Sequence, residues 1–366
     1  MKTLQTSRSG ANESGNGPTI AQIAAEAGVS IGTVSRVLNG KNKNGWASAA
    51  ANAKKIHQIA RRLNYRPSWA ARAMANRKSH MIGVVIRNAP DRKFVFLQSF
   101  ETIVGINDQL AESDYMMSLV HLHELADVDG EIPRMFRENI MDGMIVLGGE
   151  IPDQVEQLLR EIQSEVVPCL WVENNEWRPN GCLHRDETAA AQLVVQRLVA
   201  SGYRRLIWLG PDAHASAHYS AHEREIGVRK MAEAMDVPVT WCHVSDEPYQ
   251  EMLSFCKQQQ LTPDTAIIAS GTRHAMTLVS AANQAGGLVG RDFGLACCDD
   301  SQQVSVTFPN LSRVSFDRYE MGRVAASMLL GGIEGQTQDV SSQRLSGHWI
   351  PGTTAPGYKP GLSTSD

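Results

Sequence analysis

The sequence predicts an α/β protein, an all-α helix-turn-helix head followed by two doubly wound parallel-sheet lobes. Three observations predict it. Two short amphipathic helical patterns near the N-terminus are joined by a single glycine. From Met81 onward, β-rich runs alternate with helical stretches. The charge is also divided: residues 1–80 carry 13 Lys and Arg against 2 Asp and Glu, and the remainder is acidic enough to bring the whole chain to −4. A basic head on an acidic body points to a polyanionic partner for the head.

The chain has 366 residues, 42% of them hydrophobic, which suits two or three packed domains. No run approaches the roughly 18 apolar residues of a membrane span. The start, "MKTLQTSRSGANESGNGPT", has no apolar h-region; it reads as a disordered arm over residues 1–17, not as a secretory signal. Cys169, Cys182, Cys242, Cys256, Cys297 and Cys298 show no paired metal-ligand spacing. Adjacent Cys297 and Cys298 sit in "FGLACCDD" and read as reduced, buried thiols on a strand, as expected of a cytoplasmic protein.

The first helix starts at a capping-box pattern, Thr19 with Gln22, and places Ile20, Ile23, Ala24 and Ala27 on one face. Gly28 permits the left-handed conformation that ends a helix abruptly. Ser30 caps a second helix with Val34, Val37 and Leu38 inward, ending at Asn39-Gly40. A third carries Ile56, Ile59, Ala60 and Leu63 at helical spacing, with Lys54, Lys55, Arg61 and Arg62 mostly on other faces. Two short helices at a tight turn, backed by a third, form a helix-turn-helix whose second helix can enter the major groove. The bland alternative is a small helical bundle, which the basic surplus disfavours.

Pro67 stops the third helix, and Ser68 can cap a short helix from Trp69 to Ala75. Such a segment is too short to be stable alone. Beyond it, "MIGVVIR", "MMSLVHL", "GMIVLGG", "VPCLWVE", "RLIWLG", "TWCHV", "AIIAS" and "GLACC" are the expected strands. Their alternation with helices predicts parallel sheets, with a cleft between the strand ends of the two lobes.

The stretches "TIAQIAAEAGVSIGTVSRVLNG", "LNYRPSWAARAMA" and "IGVV" resemble, in order, the DNA-binding domain, hinge and first core strand of the lactose-repressor (LacI/GalR) family of bacterial transcription regulators. Further matches extend the resemblance over nearly the whole chain. It implies a helix-turn-helix domain over residues 18–66, a hinge over 67–79 and a periplasmic-binding-protein-like core over 80–356, followed by a tail over 357–366. The core's first lobe would hold about 80–188 and 318–345, its second about 189–317 and 346–356, with three crossings between them.

In the head, the resemblance puts Ile31 and Gly32 at the most variable base-reading positions, with Arg36 one turn on. Arg36 suits a bidentate contact to guanine and Ile31 a thymine methyl. Thr33 and Ser35 have the chemistry for phosphate contacts, which position without specifying; Thr19, Ser30 and Asn39 complete the expected DNA contacts. The hinge would be helical when two protomers pair on DNA, with Ala71 and Met74 facing the minor groove and Met74 in place of the usual wedging leucine. The connection "NGKNKNGWASAAANAKK" is longer than usual for the family. Trp46 stands where an aliphatic anchor is common, and Lys41 and Lys43 suit either phosphate contact or solvation.

In the cleft, Asp186 in "HRDETAAAQ" matches a sensor aspartate, Arg224 in "SAHEREIGVRKM" an effector-gripping arginine, and Asp299 in "LACCDD" an acceptor for sugar hydroxyls. A five-donor guanidinium fork suits a hydroxyl or a carboxylate partner. Phe94 matches an aromatic floor; His218, Ser220 and Thr272 line the same expected site. Two departures stand out. "ASGTRHAM" lacks a usual carboxylate and has Arg273 beside the gap, while Arg318 stands where an aromatic is common. Both changes predict a more cationic cleft and an effector bearing a carboxylate or phosphate, such as a sugar acid. His214, His218 and His222 recur every four residues and leave three readings open: solvated loop, effector contact or metal site.

The implied function is a dimeric transcriptional regulator, most often a repressor, that binds an inverted-repeat operator and responds to a carbohydrate-type effector without a cofactor. Two alternatives use the same cleft: a sugar-processing enzyme and a solute-binding protein. No P-loop, G-x-G-x-x-G or H-E-x-x-H motif occurs for the first, and the second has no use for a basic head.

Overall fold

In the computed structural model, the described residues are 18–38, 47–69, 73, 78–86, 93–121, 140–148, 153–165, 167–212, 218–245, 248–259, 261–335 and 340–358. The N-terminal arm, Asn39, Lys41, Lys43, Trp46, the hinge positions Ala71 and Met74, and His214 lie outside them. The chain divides into two compact units, Met1–Ser79 and His80–Asp366.

The first unit holds α1 (Ile20–Ala27), α2 (Ile31–Leu38) and α3 (Ala47–Arg62). The capping box forms as its sequence predicts: Gln22 N donates to Thr19 Oγ1 at 3.3 Å and Thr19 N to Gln22 Oε1 at 2.8 Å. Gly28 ends α1 at φ 72°, in the left-handed region. Ser30 Oγ then accepts from Thr33 N at 3.2 Å, starting α2 one turn later. Ile23, Ala24, Ala27, Val34, Val37, Ile56, Ile59 and Ala60 form one buried core, with Ile20, Leu38 and Leu63 packed against its edge. Lys55 Nζ donates to the Ala27 carbonyl at 3.0 Å, a cation at a helix C-terminus.

The second unit contains two six-stranded sheets. The first has the order β11-β5-β4-β3-β1-β2, built from β1 (Met81–Ile86), β2 (Met116–His121), β3 (Gly143–Leu147), β4 (Cys169–Val172), β5 (Cys182–Arg185) and β11 (Gln343–Leu345). The second has the order β12-β10-β9-β8-β6-β7, from β6 (Arg205–Gly210), β7 (Val239–His243), β8 (Thr265–Ala269), β9 (Gly294–Cys297), β10 (Ser312–Ser315) and β12 (His348–Ile350). Every pairing is parallel except β10 with β12. Strands such as β3 and β8 are buried throughout, as parallel strands covered on both faces must be.

Helices α4 (Lys93–Glu112), α5 (Asp153–Glu165) and α11 (Arg318–Gly335) belong to the first lobe, where α4 and α11 pack together beside β1 and β3. Helices α6 (Glu187–Ala200), α7 (Tyr219–Ala234), α8 (Tyr249–Gln258), α9 (Thr272–Gln284) and α10 (Gln302–Thr307) belong to the second. The chain crosses between lobes after β5, after β10 and after β11. All eight strands expected from sequence are present; β5, β10, β11 and β12 were not among them. None of these four is a continuous apolar run: β5 and β10 contain a buried arginine each, and three-residue β11 and β12 include Gln343, Arg344 and His348. Cys297 and Cys298 are free and fully buried, and burial pushes the Cys297 thiol up to about 12.

Candidate functional site

In the head, burying Val34 and Val37 turns Ile31, Gly32 and Arg36 outward on α2. Ile31 is 52% exposed on this outward face. Arg36 Nε reaches back to the Gly32 carbonyl at 3.3 Å, leaving its terminal nitrogens outward. Thr33 and Ser35 are half-buried, and the Thr33 hydroxyl lies 2.9 Å from that of Ser30. Gly28-Val29-Ser30-Ile31-Gly32 has the G-x-S-x-G form of a hydrolase nucleophile elbow. Here it joins two helices instead of a strand and a helix, and Ser30 serves as a cap.

In the core, the crossovers after β5 and after β10 converge on one buried cluster. Arg185 ends β5; its Nη1 donates to Asp299 Oδ1 at 3.0 Å, its Nη2 lies 3.0 Å from Glu187 Oε1, and its Nε pairs with Glu173. Arg224, on α7, grips Glu187 with Nε at 2.7 Å and Nη2 at 2.8 Å, and donates from Nη1 to the Ser270 carbonyl at 2.7 Å. Its Nη2 also lies 3.0 Å from Asp299 Oδ2. Arg318, the first residue of α11, donates to Asp299 Oδ1 at 2.8 Å. Three guanidiniums thus face three carboxylates, and Glu187 has no exposure to solvent.

The electrostatics follow from burial and pairing. Burial opposes ionisation of Asp299, but Arg318, Arg185 and Arg224 overcome it and hold its carboxyl far below the usual range. Glu173, half-buried, is held low by Arg185 and Arg318 against its desolvation. Arg224 is raised above its ordinary value because Glu187 and Asp299 outweigh its desolvation.

Arg224, Asp299 and Arg318, three of the sequence candidates, therefore meet in one cluster. Thr272 is buried at the start of α9, two residues from the Ser270 carbonyl that Arg224 holds. Asp186 caps α6, its Oδ1 accepting from Ala189 N at 2.9 Å. His218 caps α7 and lies 2.7 Å from the Ser220 hydroxyl. Phe94 lies in α4, its side chain outside the described set.

The expected cationic excess is corrected by this cluster. Arg318 is paired with Asp299, Glu173 and Glu187 supply two further carboxylates, and Arg273 is exposed. Arg185, Glu173 and Glu187 escaped the sequence reading. The signal for Arg185 and Glu187 was "HRDE", in which they flank Asp186 on both sides; Glu173, at the end of the apolar run "CLWV", had none beyond its position.

A second, aromatic wall stands beside the cluster. His184 Nε2 lies 3.0 Å from Asn174 Oδ1, and its ring lies between Trp177, at 5.1 Å, and Tyr219, at 4.5 Å. Burial, aided by Arg344, lowers its pKa to about 4. His222 is exposed one turn from His218, and no metal-binding group of three ligands occurs among the described residues. Nor is any described helix long and apolar enough to cross a membrane.

Residues 19–68 match the family described as bacterial regulatory proteins, lacI family, and residues 195–355 match the periplasmic binding protein-like domain. Catabolite control protein A of Staphylococcus xylosus is 26% identical over 318 residues, covering 85% of this chain and 91% of that protein. The lac repressor dimer bound to operator and the anti-inducer ONPF superposes with a TM-score of 0.71 at 20% identity, over 93% of this chain and 99% of that one. The complex of the transcriptional regulator CelR with cellobiose gives 0.60 at 20% identity, over 91% and 98%. At such identities the structural likeness speaks to the fold.

Proposed function

We infer that this chain, a member of the lacI family of bacterial regulatory proteins, is a cytoplasmic transcriptional repressor that binds an inverted-repeat operator as a homodimer and has no catalytic role. The observation that carries the reading is the outward face of α2. Ile31, Gly32 and Arg36 face outward on the recognition helix of a head whose cap, turn and core are complete without them. An exposed isoleucine beside an arginine suits a thymine methyl and a guanine edge.

Dimerisation follows from geometry, because one head covers a half-site. Met116 and Leu119, on edge strand β2, and Phe100, on α4, are large apolar side chains left exposed on the first lobe. They suit an interface between copies. The hinge positions Ala71 and Met74 would enter the minor groove between paired heads.

The effector proposed for the cleft is a neutral, polyhydroxylated carbohydrate. A balanced set of three arginines and three carboxylates offers both donors and acceptors without a net charge to attract an anion. The CelR neighbour is described in complex with a neutral disaccharide, cellobiose. Binding would change lobe closure and hence how the two hinges meet, a coupling of two sites through one two-state element.

Selection of duplexes from a random library, followed by anisotropy titration of the winning sequence, tests the reading. An inverted repeat bound with a steep salt dependence is the expected result. No retained duplex at low ionic strength overturns it.

A further inference from the structure

Arg344 is the middle residue of β11, at the edge of the first lobe's sheet and three residues before the crossover glycine Gly347. Its guanidinium meets Glu223, on α7 of the second lobe, as a two-pronged fork: Nη1 to Oε2 at 2.9 Å and Nη2 to Oε1 at 2.9 Å. The same guanidinium lies over the Trp177 ring of its own lobe, 4.4 Å from the centroid. Trp177 leans on His184, and His184 on Tyr219 of α7. Tyr219 N in turn donates to Asn175 Oδ1 of the first lobe at 3.0 Å. The N-terminal turns of α7 are thus docked on the first lobe by groups of this chain alone.

We propose that the Arg344–Glu223 pair is a built-in latch that holds the two lobes together without effector, and that releasing it is the step by which effector or ionic conditions reach the hinge. Like the Arg185–Asp299 pair of the buried cluster, it joins the two lobes and breaks whenever they part. Two features distinguish it from that cluster. The donor is pre-set on its own lobe by the indole face, so closure needs little further ordering of a long side chain. The pair is also reachable, with side-chain exposures of 29% and 19%, whereas Arg185 and Asp299 are at 6% and 9%. Ions and ligands therefore compete for the rim pair far more readily than for the core.

The latch deepens the sensor reading and rests on it only for the consequence at DNA; its geometry is tested without DNA. Hydrogen exchange of the full chain is followed in residues 218–221, which contain the interlobe amide of Tyr219, and in 266–269 of the second lobe's central strand. Arg344→Met, which keeps much of the packing volume, and Glu223→Gln are each expected to speed exchange at 218–221 by about tenfold while leaving 266–269 unchanged. Raising KCl from about 50 mM to about 500 mM moves the wild type the same way. Combining Arg344→Glu with Glu223→Arg restores a large part of the protection.

Unchanged exchange at 218–221 in both single variants overturns the proposal. So does equal acceleration of 266–269 without recovery in the exchanged pair, which assigns the residues to general stability. Operator affinity of the two single variants, differing at least about fivefold from wild type, carries the latch to DNA. A chain that fails to bind any duplex removes the repressor reading and leaves the exchange result standing.

Discussion

Arg185 Nη1 lies 3.0 Å from Asp299 Oδ1, joining a strand end of the first lobe to the segment after a central strand of the second by a buried ion pair. Asp299 also receives Arg318 and Arg224, so one carboxylate neutralises parts of three cations. Removing one partner of such a group leaves charge buried without compensation, which is far costlier than losing an exposed pair.

Asp299→Asn is therefore expected to destabilise the two-lobed core by about 3–5 kcal/mol. Differential scanning calorimetry should show its transition lowered by about 6 °C or more. A transition within a degree of wild type would show that the arginines find other partners.

Acid should weaken the core in two stages. His184 has a pKa lowered to about 4 by burial, below the ordinary imidazole value, so the folded state binds fewer protons than the unfolded chain. Its contribution is complete above about pH 6.5 and is lost as pH falls toward 4, by at most about 3 kcal/mol. Asp299 and Glu173, both held low, add losses below the ordinary carboxylate range. Urea midpoints at pH 7.5 and 5 should differ in wild type and differ less in His184→Gln.

Gly28→Ala probes the turn of the head. No atom stands within 4 Å of the added methyl, so the cost is backbone strain at φ 72° alone, about 1 kcal/mol. Thr19→Ala removes one half of the capping box and should cost a similar amount, about 1 kcal/mol. Thermal unfolding of the head, followed by fluorescence of a probe in that unit, measures both. A loss several times larger would mean that the turn carries packing beyond its conformation.

Arg36→Ala should reduce affinity for the selected operator by about 1–3 kcal/mol and relax preference at one base pair in each half-site. Substituting a phosphate-contacting group instead weakens all duplexes alike and lowers the salt slope. Anisotropy titrations on operator variants separate the two. Uniform weakening by Arg36→Ala would reassign it to the backbone.

The head was legible in the sequence because its determinants are local. Thr19 and Gln22 lie three residues apart, Gly28 sets its own conformation, and the apolar faces repeat within single helices. Eight strands were legible for the same reason, each being an apolar run long enough to show its character. Asp299, Arg224 and Arg318 were found by resemblance, and the geometry changed their meaning from a cationic site to a balanced one.

By itself, the sequence determined the caps, the turn, the alternation of strands with helices and the division of charge, all of which depend on neighbours along the chain. The tertiary structure decided which charges neutralise one another. Arg185 and Asp299 are 114 residues apart, and Arg344 and Glu223 are 121. They meet because short strands, β5 and β11, end at crossovers between the two lobes. The four-residue β4 and β9 are apolar throughout and announce themselves. By contrast, β5 and β11 carry Arg185 and Arg344 and gain their pairing energy from the sheet they join, so no apolar run marks them.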